Sequence, residues 1–242
     1  YLTNDIENRG PSAARAGKYF LKLTRTATQP SAYPPDQDNG NRVEVTTASE
    51  FVERAMEDRW FGMSIWVPSW VDTSQVSSWN SIGQWHGSSG NDPGIIHLWH
   101  DHEDNLIIES RTAPVSLPTD WWNYTTDTVQ YKGPMPKDRW IDLVFNYRFD
   151  YTENGYLRVW LDGNKIVDYS GPLGFKHSAG NSVAYVKLGS YAGDKHEFDR
   201  TYYYDEVRWG NGSATYESIS PASYGGLRES GARPNPPKMI EQ

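Results

Sequence analysis

The sequence predicts an all-β sandwich in a single domain, residues 1–242, on three observations. Short strand-like segments recur along the chain between turn signals, each carrying β-branched or aromatic residues. The run Leu161-Asp162-Gly163-Asn164-Lys165 sets an Asp-Gly pair between two such segments, a hairpin signal because a type I′ turn needs positive φ at both central residues. Helical periodicity is weak throughout. Many strands with few helices make a sandwich or a barrel, and a chain of 242 residues is long enough to bury one sizeable core.

Taken in order, a Pro/Asp/Asn/Gly loop over Tyr33 to Asn41 feeds a strand at Arg42 to Thr46. One short helix is expected over Ala48 to Arg59. Strands follow at Phe61 to Val67, Ser81 to His86, Ile95 to His100 and Leu106 to Arg111. Four more are expected at Ile141 to Tyr147, Tyr156 to Leu161, Val183 to Leu188 and Tyr202 to Trp209. The polar, Pro/Gly-bearing ends, Tyr1 to Gly10 and Gly226 to Gln242, are expected to wrap the surface.

Composition narrows the function. The formal net charge of -8 argues against nucleic acid as a partner, since phosphate binding needs a basic surface. A local basic cleft on an acidic protein remains open to an anionic sugar, because salt confines charge repulsion to roughly 8 Å. The 14 % aromatic content, with 11 Trp and 16 Tyr, exceeds what a core alone calls for and suggests exposed rings of the kind sugars stack on. There is no Cys, hence no disulfide framework and no thiolate zinc site. No apolar run approaches the roughly 20 residues of a membrane helix, so no membrane partner is expected. The chain starts at Tyr1 rather than at a methionine, for which a cleaved secretory signal is the natural explanation, and a secreted, extracellular, monomeric protein is expected. Two glycosylation triplets, Asn123-Tyr124-Thr125 and Asn211-Gly212-Ser213, permit that route.

Three strands carry chemistry. In Ser81-Ile82-Gly83-Gln84-Trp85-His86, period 2 puts Gln84 and His86 on one face and Trp85 on the other. In Tyr185-Val186-Lys187-Leu188-Gly189-Ser190-Tyr191, Lys187, Gly189 and Tyr191 share a face, and Gly189 leaves room for close approach. In Asn41-Arg42-Val43-Glu44-Val45, Arg42 can present its fork to a carboxylate, and Glu44 reads as its structural partner. The set fits β-elimination on a uronic-acid chain. That reaction needs a donor to neutralise the carboxylate, a base for the C5 proton and an acid for the departing 4-linked oxygen. Arg or an amide serves the first need, His or Tyr the second and Tyr the third, while Lys binds the anionic chain.

These strands resemble the R-x-E-L, Q-x-H and Y-F-K-x-G-x-Y strands of jelly-roll alginate lyases, in the same order, with Val45 for Leu and Val186 for Phe. The wider sequence is similar to the heparin-lyase and glucuronan-lyase families. The similarity lies in Trp60-Phe61-Gly62-Met63-Ser64-Ile65-Trp66-Val67-Pro68, Trp140-Ile141-Asp142-Leu143-Val144 and Gly155-Tyr156-Leu157-Arg158-Val159-Trp160-Leu161-Asp162-Gly163. Chain length favours glucuronan lyase. The resemblance implies a concanavalin-like β-jelly roll with a concave substrate cleft, acting on an anionic polysaccharide. It implies Gln84 and Arg42 as carboxylate neutralisers, His86 as base or neutraliser, Tyr191 as acid and possible base, and Lys187 as a substrate contact. Trp160 and His100 are further candidate substrate contacts. No cofactor is required for the chemistry, but the resemblance implies a structural Ca2+ held by Asp205 and by an acidic N-terminal residue, Glu7 or Asp5. His97, His100 and His102 are read as a strand end and turn rather than a metal site, for want of further ligands, and one of these rings stays a candidate for the substrate cleft.

Two other classes compete. A glycoside hydrolase needs two carboxylates about 5 to 9.5 Å apart, and the E-x-D-x-x-E or E-x-D-x-E run of sandwich glucanases does not occur here. A non-catalytic carbohydrate-binding module suits the aromatic content but does not call for Gln, His, Lys and Tyr in a lyase's order.

Overall fold

The computed structural model describes residues 10–25, 42–47, 51–71, 80–88, 93–114, 125–192 and 199–222. Its strands are β1 (Leu21–Arg25), β2 (Arg42–Thr46), β3 (Glu53–Arg54), β4 (Asp58–Trp66), β5 (Asn80–Gly87), β6 (Gly94–His100) and β7 (Asn105–Ala113). They continue with β8 (Thr126–Pro134), β9 (Trp140–Arg148), β10 (Tyr156–Leu161), β11 (Asn164–Ser170), β12 (Gly174–Phe175), β13 (Ser182–Ala192) and β14 (Arg200–Gly210), before the short helix α1 (Tyr216–Ile219). Two sheets form a sandwich. One has six strands in the order β1-β14-β4-β9-β10-β11. The other has eight, with the path β12-β7-β6-β5-β13-β2 and with β8 beside β7 and β3 beside β13.

Alternation builds the core. Phe61, Met63 and Ile65 of β4, with Leu143, Phe145 and Tyr147 of β9, face Ile82 and Trp85 of β5 and Ile96 and Leu98 of β6, and all are fully buried. Each large side chain so buried contributes roughly 1.5–3 kcal/mol. Trp85 is the centre of an aromatic knot, 5.2 Å from Phe61 and 4.7 Å from Phe145 between ring centroids. Its indole N–H donates to the Tyr147 hydroxyl at 2.9 Å, which in turn donates to the buried Glu53 carboxylate at 2.6 Å. The Asp162-Gly163 hairpin forms as expected: both residues have positive φ, 49° and 82°, and Leu161 pairs Asn164 across the turn.

The expected helix over Ala48 to Arg59 is not formed. Residues 48–50 lie outside the described residues; beyond them Glu53–Arg54 is a strand paired with β13, and Asp58 opens β4. Met56 at φ 62° turns the chain between the two, a conformation no right-handed helix contains. The strands the sequence does not predict are β1, β3, β8 and β12, all at sheet edges. An edge strand has one partner and a wet side, so it need not be apolar. β8, Thr-Asp-Thr-Val-Gln-Tyr-Lys-Gly-Pro, has no core-facing stripe.

Candidate active site

The three chemistry-bearing strands are neighbours in the eight-stranded sheet, in the order β5-β13-β2. Their inward residues, Trp85, Val186 and Leu188 among them, are in the core, which forces the intervening residues to the outer face. Register sets the rows. Lys187 pairs Gln84, Gln84 pairs His97 of β6, and His97 pairs Glu109 of β7. Further along, Tyr191 pairs Arg42 on one side and Ser81 on the other, and Ser81 pairs Trp99. Tyr185 pairs His86 at the opposite end of the patch.

Glu44 holds the middle together. Its Oε1 accepts from the Gln84 amide at 2.6 Å, and its Oε2 faces Arg42 at 3.8 Å and Lys187 at 4.0 Å. The Oε2 atom is buried and accepts no hydrogen bond. One carboxylate thus sits among two cations at long range. The Arg42 guanidinium lies over the Tyr191 ring, 4.3 Å from its centroid. Lys187 is 7 % exposed, and burial pulls its ammonium below the ordinary lysine value, against the pull of Glu44. Gln84 is more deeply set still, at 2 % exposure, so its amide acts in a low-dielectric setting.

The two histidines of the face differ. His86 Nδ1 lies 2.8 Å from the Gly87 carbonyl, which can only accept, so Nδ1 carries a proton, and in the neutral ring it is Nε2 that has the lone pair a base needs. In His97, Nε2 takes a hydrogen bond from Arg111 at 3.0 Å, and arginine can only donate. Burial, with the Arg111 charge adding to it, holds His97 well below the ordinary imidazole value, so it is a neutral ring, stacked on Trp99 at 4.4 Å. Arg111 also meets Glu109 at 3.1 Å and Asp127 at 3.0 Å.

The structure therefore places Arg42, Gln84, His86, Lys187 and Tyr191 on one outer face, with His86 and Tyr191 at its opposite ends. It does not bring Trp160 or His100 to them. Trp160 is on β10 in the six-stranded sheet, stacked with Trp60 at 5.9 Å and 18°. Its parity is opposite to that of Leu157 and Val159, which are in the core, so it faces outward on the far side of the sandwich. His100 shares parity with Ile96 and Leu98 and is wholly buried between the sheets, with Nδ1 3.0 Å from the Tyr202 hydroxyl and Nε2 2.6 Å from Asp104. It is a core histidine. Trp99, Glu109 and Arg111 join the face without having been singled out as substrate contacts, and of His97, His100 and His102 it is His97 that lies beside Gln84. The alternation Ile96-His97-Leu98-Trp99 carries that signal, but only cross-strand register says which neighbours they meet.

The expected calcium ligands do not assemble among the described residues. Glu7 and Asp5 lie outside them. The Asp205 carboxylate accepts backbone N–H groups from Ala16 at 3.2 Å and from Glu206 at 2.8 Å. Asp142, on the far side of β4 from it, is clamped by Arg15 at 3.0 and 2.7 Å and by Ser64 at 2.6 Å. No group of three or more His, Asp or Glu converges among the described residues. Calcium takes 6–8 oxygens, and of the expected ligands only Asp205 is among the described residues.

Several solved structures are similar to the chain. An endo-β-1,4-glucuronan lyase from the fungus Trichoderma reesei aligns over 89 % of this chain and 91 % of its own, with a TM-score of 0.66 and 18 % identity. An alginate lyase from Pseudomonas aeruginosa aligns over 81 % and 87 % with a TM-score of 0.46 and 19 % identity, and one from a Chlorella virus over 84 % and 89 % with 0.48 and 11 %. At such identities the glucuronan lyase likeness establishes the jelly-roll fold and not the substrate. No curated protein matches the chain. The family model described as polysaccharide lyase matches residues 8–208, the span that holds every strand of the two sheets up to β14 and all five residues gathered on the outer face. With that match the chain belongs to the polysaccharide lyase family.

Proposed function

We propose that this protein cleaves an unsulfated polyuronate by β-elimination, with β-1,4-glucuronan as the foremost substrate and Tyr191 as both base and acid. The carrying observation is the single patch in which Arg42 covers the Tyr191 ring and also faces Glu44, around which Gln84 and Lys187 gather. A substrate carboxylate lying against the Gln84 amide and Arg42 is neutralised, which lowers the cost of charge at C5. Deprotonated Tyr191 takes the C5 proton; the C4–C5 double bond forms as the C4–O4 bond breaks; and the phenol returns the proton to the leaving oxygen. One residue can do both because in a β-linked glucuronate the C5 hydrogen and O4 lie on the same side of the ring.

Register supports the single-residue route. Ser81, opposite Tyr191, is five residues from His86 on β5, about 17 Å along the strand. His86 would share the work only for the C5 epimer, whose proton lies on the other side. Charge supports an unsulfated chain: Arg42, Lys187 and Arg111 are balanced on the face by Glu44, Glu109 and Asp127. A sulfated heparin-type polymer calls for a net basic surface. A polysaccharide too large to cross a membrane is met outside the cell, which is where this reading places the enzyme.

Incubation with glucuronan, alginate and heparin separately, followed in the near-ultraviolet band of the 4,5-unsaturated uronate, tests this. A rise with glucuronan is expected. Reducing ends without the band would show hydrolysis instead, and retention on a polysaccharide gel with neither product would show a binding module.

A further inference from the structure

We infer that Tyr204, on the opposite sheet, is a positioning residue that reaches across the core to hold Tyr191 on the outer face; this rests on the acid–base role proposed for Tyr191. Two irregularities coincide beneath the site. The β5–β6 register shifts between Ser81 and Gly83, leaving Ile82 as an extra residue. The β13–β5 register shifts between Leu188 and Tyr191, around Gly189. Gly189 has φ 153°, and a Cβ there would collide with the Val43 carbonyl of β2, so the bulge is built on glycine. A bulge takes backbone groups out of the ladder, and here they lie inside the sandwich.

Tyr204 meets both. Its hydroxyl lies 2.6 Å from the Ile82 carbonyl and 2.9 Å from the Gly189 carbonyl, so one proton serves the extra residue of each bulge. The side chain is 1 % exposed, and burial holds the phenol well above its ordinary value, so it stays a donor. Register in a sheet has period 2: a slip of one residue at Gly189 would turn Tyr191 inward and Ser190 outward. Ser190 is instead tied inward, donating to Asn80 at 2.9 Å, and Asn80 donates to the Tyr202 hydroxyl at 2.7 Å. Tyr202 is as buried as Tyr204 but touches neither bulge carbonyl among the described hydrogen bonds, and Ser190 bonds the Asn80 oxygen whereas Tyr202 meets only the Asn80 nitrogen, so Tyr202 serves as the internal control.

The test compares Tyr204→Phe with Tyr202→Phe in the full chain, at a temperature where both are folded by circular dichroism. Tyr204→Phe is expected to lower kcat by about 30-fold or more with KM within about threefold, and to add nothing in a Tyr191→Phe background. Tyr202→Phe is expected to leave kcat within about threefold. In ring-labelled protein the Tyr191 cross-peak, assigned by its loss in Tyr191→Phe, should move in Tyr204→Phe and stay in Tyr202→Phe. Unchanged kcat or an unmoved cross-peak in Tyr204→Phe overturns the inference. If no polymer is turned over, the cross-peak still decides it, and only the lyase reading falls. If Tyr204→Phe does not fold, the wild type decides: a slowly exchanging Tyr204 hydroxyl proton close to Gly189 Hα supports the contact, and its absence refutes it.

Discussion

The two outer faces of the sandwich are built by the same alternation and end up chemically unlike. On the six-stranded sheet, charges meet at contact distance and in the open: Arg158–Asp168 at 3.2 Å, Lys165–Asp168 at 3.0 Å and Arg139–Asp162 at 2.7 Å. Its aromatic rings pack on one another, Trp60 on Trp160 and Trp66 against Trp140. On the eight-stranded sheet, Arg42 and Lys187 stay 3.8 and 4.0 Å from a Glu44 oxygen that accepts no hydrogen bond, and Lys187 is desolvated. Exposed pairs of the first kind are worth little and do little. Charges held apart in a drier setting keep interaction energy for a ligand. Having polar residues does not make a face a site; gathering them in a drier patch around one shared carboxylate does.

The largest effect that should separate the faces is Tyr191→Phe. Loss of the hydroxyl removes base and acid together and should cut the elimination rate by about 10³–10⁴-fold, with polymer binding retained. Rate measured in the unsaturated-uronate band and affinity by isothermal titration check it; near wild-type turnover would remove Tyr191 from the mechanism. Gln84→Ala comes next, with an expected loss of about 10²-fold in kcat and a smaller change in KM, because its amide acts on charge that develops during reaction. A change confined to KM would make Gln84 a binding residue only.

Between the faces, Glu53 should move stability rather than rate. Burial pushes its carboxyl up to about 7, against the Tyr147 hydrogen bond and the Arg59 charge. Because the folded value lies above the unfolded one, the unfolded chain ionises first as pH rises, so stability falls from about pH 4.5 to about pH 7. Glu53→Gln should abolish that fall, on the order of 3 kcal/mol, in chemical denaturation at pH 5 and pH 7.5. An unchanged slope would mean that Glu53 is ionised in the fold. The smallest effect belongs to the far face: Trp160→Ala should leave kcat/KM within about twofold. A tenfold loss would bring substrate to the six-stranded sheet and break the contrast.

Gln84 and His86, and likewise Lys187 and Tyr191, could be placed on common faces from sequence because a strand has period 2 and their inward partners, Trp85, Val186 and Leu188, are apolar. The same rule was available for His97 and Trp99, but nothing local says that His97 lies beside Gln84. Trp160 is an outward aromatic by the same alternation, and which of two outer faces it occupies depends on sheet assignment alone. His100 follows a regular alternation yet is buried, since an imidazole is tolerated inside when Tyr202 and Asp104 satisfy both nitrogens.

By itself, then, the sequence determined the strand-rich class, most central strands, the Asp162-Gly163 hairpin and the residue types of an elimination site. These are local properties, fixed by side-chain period, turn conformation and chemical function. Only the tertiary structure decided that β2, β5 and β13 are adjacent, that Glu44 sits among Arg42, Gln84 and Lys187, and that Tyr204 spans the core to the Ile82 and Gly189 carbonyls. Those depend on strand order and register between residues as far apart in the chain as 44 and 187, which no local pattern encodes.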